Sequence, residues 1–186
     1  MKSGIAASIK RITAPEHRLA ERTVEAFGPF ASVERYAAYM CKLHAFYAAV
    51  EPRLFAWLGD DTRRKLGLIA ADLARLGARP RTKPREAAVD IPRMASLAHA
   101  LGVGYVLEGK TLGSRFLLEE ARTKLGLDAS SGASFLAGYG PQTGAMWRAY
   151  LDRLTSYVET HGERLTIVHA ARSTFASFTA WIARST

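Results

Sequence analysis

Cysteine and long apolar runs are the two features that this sequence has least of. Its single cysteine, Cys41, cannot form an intrachain disulfide, as is typical of proteins from reducing compartments. The first residues, MKSGIAASIKRITAPEH, lack the continuous apolar segment of a secretory signal peptide. No uncharged apolar run reaches the roughly 18 residues of a membrane helix. These absences predict a cytoplasmic protein without a membrane span.

Apolar content is nevertheless sufficient for one core. Hydrophobic residues make up 48% of the 186-residue chain, and a domain of this size buries roughly 70% of the surface that its unfolded chain exposes. No repeat and no linker divides the sequence. We therefore expect residues 1–186 to form one domain that needs neither a disulfide nor a structural metal.

Acidic residues are outnumbered by basic ones, and the formal net charge is +9. Such a protein attracts acidic partners, whether nucleic acid, lipid, protein or small molecule. The stretch Arg75–Arg85 carries five basic residues and no acidic one, and its prolines and glycine argue against a helix. A solvated loop and a docking patch for an acidic partner both remain open. Nucleic-acid binding is disfavoured, because no aromatic residues are interleaved and no known motif surrounds the stretch.

Helical periodicity dominates the chain, and no convincing strand alternation occurs. Caps, prolines and glycines then set the expected helix ends. We predict helices over 3–12, from a Thr13 cap to Phe27, from a Ser32 cap through Leu54, from Asp60 or Asp61 to Gly77, from Pro92 to about Leu125 with interruptions at its glycines, from about Gly144 to Thr160, and from about Glu163 onward. This pattern indicates an all-α, multi-helix bundle.

The sequence contains one literal match to a nucleotide-binding consensus, without the structural context that the motif needs. Residues Gly104–Thr111 satisfy G-x-x-x-x-G-K-[ST], but a P-loop needs a strand before a flexible loop. Here the preceding residues have a helical pattern and the intervening ones are bulky. Nucleotide binding is therefore disfavoured. No H-E-x-x-H, C-x-x-C or G-x-S-x-G occurs, so zinc hydrolases and α/β-hydrolases have no support.

His17 and Glu21 form the most interesting pair of polar residues. They lie four residues apart in a helical pattern, so their side chains share a face. A metal-bound imidazole usually donates its other N–H to a carboxylate, carbonyl or water. The spacing therefore suits a metal ligand with its supporting carboxylate, although such pairs are also common on solvated helix faces.

Gly109 and Gly113 lie within a helical pattern, where each glycine costs about 1 kcal/mol relative to alanine. Close approach of a flat cofactor to the backbone would offset this cost. Tight helix–helix packing would offset it equally well, and the sequence does not distinguish the two.

Five parts of the chain resemble one known family. They are the pattern Thr13-x-x-x-His17-x-x-x-Glu21, the segment LGVGYVLEGKTLGSRFLLEEARTKLGL (Leu101–Leu127), and the segments Arg35–Leu54, Phe135–Leu154 and Ala171–Ile182. They are similar to the bacterial biliverdin-forming heme oxygenases, in particular the group found with bacteriophytochromes. The His17 pattern resembles the proximal-histidine helix of that family, and Leu101–Leu127 resembles its distal-helix region. The likeness covers nearly the whole chain and implies a heme-oxygenase-like helical fold.

The resemblance also implies an activity: oxidative opening of heme to biliverdin, with release of iron and carbon monoxide. The reaction consumes oxygen and electrons from a reductase or ferredoxin, and heme is both substrate and cofactor. His17 would bind the iron and Glu21 would support its ring. Phe175 would pack at the heme edge. Lys10 and Arg148 would contact the propionates.

On the distal side, the resemblance implies that Gly109, Lys110, Gly113 and Ser114 form the catalytic surface. The two glycines would let the distal helix pass close to the heme. Lys110 stands where the family more often has a small polar or acidic residue, and Ser114 replaces a second glycine.

These departures leave a second hypothesis, a degenerate family member without turnover that acts as a heme sensor or regulatory module. The resemblance also makes a bacteriophytochrome or another signalling protein an expected partner, with the phytochrome receiving the biliverdin if the protein is an enzyme. A third and weaker hypothesis is a basic helical nucleic-acid binder.

Overall fold

The computed structural model describes residues 4–79 and 89–184. Within these ranges the chain forms eight α-helices and no strand, which confirms the predicted all-α class. The helices are α1 (Ile5–Ile12), α2 (Ala14–Phe27), α3 (Val33–Leu58), α4 (Leu66–Arg75), α5 (Leu97–Leu125), α6 (Ser134–Ala137), α7 (Thr143–His161) and α8 (Arg164–Ala183). Two short 3-10 helices cover Asp61–Arg63 and Gly140–Gln142.

Helices α3, α5 and α8 supply the central core. Helix α5 packs extensively on α8, α3 packs on α4 and α5, and α2 also lies on α8. The apolar side chains of α3 that recur every three or four residues are at most 1% exposed: Tyr36, Met40, Leu43, Phe46, Tyr47, Val50 and Leu54. Each such burial contributes roughly 1.5–3 kcal/mol, so the periodicity marks the core-facing side of the helix.

Two helices were predicted to begin after a local cap, at Ser32 and at Thr13. The Ser32 hydroxyl accepts the N–H of Arg35 at 3.2 Å, as predicted. Thr13 does precede α2, but its hydroxyl donates back to the Ile9 carbonyl at 2.8 Å. The Thr13 side chain is therefore hydrogen-bonded to the last turn of α1 and does not cap α2.

Two predicted starts were wrong. Asp60 caps only the 3-10 turn, and α4 begins later, at Leu66. A Glu51 carboxylate oxygen from α3 accepts the N–H groups of Lys65 and Leu66 there. Helix α5 begins after Ser96 and not at Pro92, because the Ser96 hydroxyl takes the cap position and accepts the N–H of His99.

The glycines of α5 do not interrupt the helix, contrary to expectation. A Cβ atom added at Gly102 would lie 2.3 Å from the Ile167 carbonyl oxygen of α8, and one at Gly104 would lie 2.3 Å from the Tyr150 hydroxyl of α7. These two glycines therefore allow close helix–helix packing. The apparent P-loop match lies entirely within this helix, so it forms no phosphate-binding loop.

The predicted basic loop begins at Arg75, the last residue of α4. Its part from residue 80 onward lies outside the described residues. Among the helices in 4–79 and 89–184, none combines the length and apolarity needed to cross a membrane.

Candidate functional site

His17 lies on α2 with one ring nitrogen engaged. Its Nδ1 is 3.3 Å from a carboxylate oxygen of Glu21, one turn further along the helix. Its ring also meets Phe175 of α8 edge-on, with 5.4 Å between the ring centres. The side chain is 54% exposed, and within the described chain no hydrogen bond engages Nε2. This leaves Nε2 as the nitrogen that can bind a metal.

Helix α8 connects His17 to the glycine-containing part of α5. Phe175 and Phe178 are three residues apart and therefore share one face of α8. Phe175 contacts His17, and the Phe178 ring centre is 5.0 Å from the Lys110 ammonium of α5. Both phenylalanines are buried. We call the region bordered by His17, Phe175, Phe178 and Lys110 the cleft.

Gly109 and Gly113 differ from the two glycines that pack against α7 and α8. A Cβ atom added at Gly113 meets no heavy atom within 4 Å, and one at Gly109 meets only Trp147 ring atoms, at 3.7 Å and beyond. Packing between helices does not explain these two glycines. Their bare backbone instead favours the alternative, close approach of a flat ligand.

The side chains next to these glycines are held by protein contacts. The Lys110 ammonium donates to the Tyr39 hydroxyl at 3.0 Å. Ser114 is 1% exposed, and its hydroxyl donates to the Lys110 carbonyl at 2.8 Å. Ser114 thus bonds within its own helix and adds no free polar group to the cleft.

Lys10 and Arg148 were expected to contact the propionates. Both are exposed, Lys10 on α1 and Arg148 on α7. Within residues 4–79 and 89–184, no hydrogen bond or ion pair joins either of them to the residues that border the cleft. The geometry therefore adds no support for the two assignments.

A buried charge cluster surrounds Glu108 of α5, and the sequence did not predict it. Glu108, which precedes Gly109, accepts hydrogen bonds from Arg63 and from the Tyr139 hydroxyl, both at 2.7 Å. Lys65 lies 4.0 Å from the same carboxylate. Arg63, Lys65 and Glu108 are all buried. Because Glu108 is fixed from two sides, the rotation of α5 at Gly109 is fixed as well.

Burial shifts the pKa of Lys65 in this cluster and of Glu51 next to it. It lowers the pKa of Lys65 to about 8, although Glu108 and Glu51 oppose the shift. It raises the pKa of Glu51, against the hydrogen bonds from the Lys65 and Leu66 N–H groups. One sequence feature could have indicated these buried charges. Glu51 and Glu108 are each a charged residue within an otherwise apolar helical face.

No group of three or more histidine, cysteine, aspartate or glutamate side chains is arranged to hold a metal ion in the part of the chain that the structure describes. His17 with an otherwise open coordination sphere fits a metal whose remaining ligands come from a macrocycle. The residues present therefore fit a heme group held by one histidine.

Comparison with known proteins agrees with this geometry. The sequence model of the family described as "Heme oxygenase" matches residues 3–184. The chain is 30% identical to the heme oxygenase PigA of Pseudomonas aeruginosa over 176 residues, covering 90% of this chain and 85% of that protein. It is also 30% identical to a heme oxygenase of Xanthomonas campestris over 152 residues, covering 78% of this chain and 87% of that protein.

Solved structures show the same fold. The NO- and CO-bound heme oxygenase of Neisseria meningitidis superposes with a TM-score of 0.81 at 24% identity, covering 96% of this chain and 90% of that one. The heme oxygenase of Leptospira interrogans superposes with a TM-score of 0.75 at 17% identity, covering 97% of this chain and 99% of that one. The chain belongs to the heme oxygenase family.

Proposed function

We propose that this protein is a heme oxygenase that opens heme to biliverdin and releases iron and carbon monoxide. The reaction uses O2 and electrons from a reductase or ferredoxin. The observation that carries the proposal is the pairing of a half-exposed His17, with Nε2 free, and a helix α5 with two glycines that close helix packing does not explain. The names of the Pseudomonas and Xanthomonas relatives support the same activity.

Bound heme would supply the iron at which O2 is reduced and the ring that is opened. His17 would bind the iron of this heme through Nε2. Glu21 contacts the other ring nitrogen, Nδ1, which fixes the ring orientation. Phe175 holds the imidazole plane from the side. Gly109 and Gly113 add no side chain to this face of α5, which would let bound heme lie close to the helix backbone.

Lys110 is the observation that favours a second candidate, a heme-binding protein without turnover. Its side chain enters a surface that the two neighbouring glycines leave bare. In that case bound heme would act as a signal read by a partner protein.

A hemin titration followed by reduction in air tests the proposal. We expect a saturable Soret band that is lost in His17→Ala and restored in that variant by free imidazole. His169→Ala, which changes another exposed histidine, is the matched control and should bind as the wild type does. Decay of the band into biliverdin absorbance would establish the enzyme. A stable reduced heme spectrum would favour the second candidate, and absence of a His17-dependent band would refute both.

We further propose that the protein belongs to the subgroup found with bacteriophytochromes. The support is the sequence resemblance over Leu101–Leu127, Phe135–Leu154 and Ala171–Ile182. If it does, an apo-bacteriophytochrome added to the reaction should acquire its red-absorbing spectrum from the product. A product that leaves the apoprotein spectrum unchanged would contradict this assignment.

A further inference from the structure

Exposed hydrophobic side chains gather where helices α1, α2 and α8 lie side by side. Ile12, at the end of α1, is 38% exposed, Leu19 of α2 is 48% exposed and Leu165 of α8 is 71% exposed. A single exposed hydrophobic residue is ordinary. Several of them on adjoining helices indicate a surface that contacts something else.

Two polar contacts show how these helices are aligned. Arg164 donates to the Ser8 hydroxyl at 3.1 Å, and Arg172 donates to Glu16 at 2.6 Å. Both contacts span 156 residues, so α8 runs parallel to α1 and α2 with a constant register. At the helical rise of about 1.5 Å per residue, the three exposed apolar side chains fall within roughly 15 Å along the helices.

A shallow groove joins α2 and α8 on this side of the molecule. Its volume is about 340 Å³, and it is lined by Glu16, His169, Arg172, Ser173 and Ala176. Leu19 follows Glu16 by three residues and Leu165 precedes His169 by four, so both leucines share the groove side of their helices. None of the residues that border the cleft lines this groove.

The groove also presents hydrogen-bond donors to an anion. Arg172 has five N–H donors, of which Nε–H is used on Glu16. In the ranges 4–79 and 89–184 no other acceptor takes its guanidinium N–H groups. His169 and Ser173 line the same groove. Since a guanidinium binds phosphate strongly, the groove suits a phosphate group.

Positive charge without a countercharge borders the apolar side chains. Arg18 and Arg22 share one side of α2, and Arg11 lies two turns earlier, on α1. All three are exposed, and Arg11 and Arg18 directly precede Ile12 and Leu19. Across the part of the chain that the structure describes, none of them forms an ion pair. Helices α1 and α8 contain no acidic residue, and the one carboxylate of the groove is already paired within it.

We propose that this face, formed by Ile12, Leu19, Leu165 and the bordering arginines, binds the surface of an anionic lipid bilayer. The apolar side chains enter the boundary between headgroups and acyl chains, the arginines stay among the lipid phosphates, and the groove receives one phosphate. The contact is peripheral, because the helices lie on the bilayer and do not cross it. The inference goes beyond the proposed function and does not depend on heme binding.

A bilayer fits this face better than an acidic protein does. It offers negative charge over a wide area to arginines that no protein contact holds in place, and an apolar layer directly beneath that charge. An acidic protein would match the charge, but it would leave a protruding side chain such as Leu165 to find a pocket of its own.

Co-sedimentation of the apoprotein with lipid vesicles tests the proposal. Vesicles of phosphatidylcholine are compared with vesicles of phosphatidylcholine and phosphatidylglycerol in equal amounts, and the partition coefficient is measured. We expect at least about tenfold stronger binding to the anionic vesicles at about 0.01 M salt, and weaker binding at about 0.15 M salt.

Variants identify the face. Arg18→Gln and Arg22→Gln should each lower the partition coefficient about fivefold, and Leu165→Ser should lower it about tenfold. Arg53→Gln and Trp57→Ser are the matched controls on α3, which lines no part of the groove, and should leave the coefficient nearly unchanged. All five substitutions replace exposed side chains, so they do not disturb the core.

Three results would overturn the inference. Equal binding to both kinds of vesicle, or binding to neither, would refute a site for anionic lipid. Equal losses in Arg18→Gln and Arg53→Gln would show that net charge alone attracts the protein to the bilayer and that this face has no special part. Absence of vesicle binding, together with binding of polyglutamate that is lost in Arg18→Gln, would assign the face to an acidic protein.

Discussion

Arg63 directs its guanidinium at acceptors from three separate parts of the chain. It contacts Asp60 at 2.9 Å, Glu108 at 2.7 Å and the Met146 carbonyl at 3.3 Å. Arg63 is 7% exposed, so these contacts replace nearly all of its hydration. Such a cluster adds little net stability when it is complete, but loss of one partner leaves a buried charge uncompensated.

Arg63→Met should therefore lower the free energy of unfolding by about 3–5 kcal/mol, the range for breaking a buried ion pair. Urea denaturation followed by circular dichroism measures the change. The neighbouring Arg64 makes a largely exposed ion pair with Asp61, so Arg64→Met is the matched control and should change stability by at most about 1 kcal/mol. Equal effects of the two substitutions would show that the cluster around Glu108 is hydrated in solution.

Lys65 predicts a pH dependence of stability. Because burial lowers the folded-state pKa of Lys65 to about 8, the unfolded chain binds more protons than the folded one above that pH. Stability should then rise with pH, by up to about 1.4 kcal/mol per unit, until the unfolded lysine titrates near its ordinary value of about 10.4. The cost of burying the charged form is fully present below pH 8.

Urea denaturation at a series of pH values from 8 to 10 tests this expectation. In Lys65→Met the rise should be absent, because the titrating group has been removed. The comparison stops at pH 10, since burial raises the pKa of Tyr47 and Tyr150, and stability should fall once the unfolded tyrosines ionise. A rise of equal slope in both proteins would assign the effect to another group.

At the scale of a helix, α5 contains glycines with two different roles. Gly102 is in close contact with α8, whereas Gly113 faces open space. Gly102→Ala should destabilise the apoprotein by about 1–3 kcal/mol, the usual cost of overpacking. Gly113→Ala should stabilise it by up to about 1 kcal/mol, because alanine is the better helix former.

Thermal or urea denaturation of the two variants without heme measures these opposite changes in the free energy of unfolding. With hemin added, Gly113→Ala should lose its advantage, since its methyl group occupies the face that the ligand approaches. A destabilised Gly113→Ala apoprotein would show that this position is packed in solution. That result would remove one of the two observations on which the proposed function rests.

The helices also show how far the sequence predicts this fold. Periodicity predicted the buried face of α3, the extent of α7 and the start of α8, because each depends on residues a few positions apart. It missed α6, whose first N–H groups are bonded by the Asp72 carboxylate of α4, at 2.9 Å from Ser134 and 2.7 Å from Phe135. A cap supplied by a distant helix leaves no local signal, and the late start of α4 has the same cause.

The same distinction applies to the candidate site. The pairing of His17 with Glu21 follows from a spacing of four residues, so the sequence alone predicts it. The contact between Arg63 and Glu108 spans 45 residues, and that between Lys110 and Tyr39 spans 71. These contacts depend on how α3, α4 and α5 pack, and residue spacing carries no information about that packing.

For the whole molecule, the dominant electrostatic property is the excess of positive charge. The net charge of +9 produces a field that extends over roughly one Debye length, about 30 Å at 0.01 M salt and about 8 Å at 0.15 M. An acidic electron donor approaching this surface would be guided at low salt and much less at physiological salt. The proposed function requires an electron donor. The rate at which an acidic donor associates with the protein therefore shows whether the positive charge guides it.

We therefore expect the bimolecular rate of heme reduction by an acidic ferredoxin to fall at least about tenfold between these two salt concentrations. Stopped-flow absorbance of the heme-loaded protein measures this rate. Reduction by a small uncharged reductant is the control and should change little, because it does not respond to the long-range field. A ferredoxin rate independent of salt would mean that the positive charges are spread too evenly to guide an acidic partner, and the basic surface would then have no part in electron delivery.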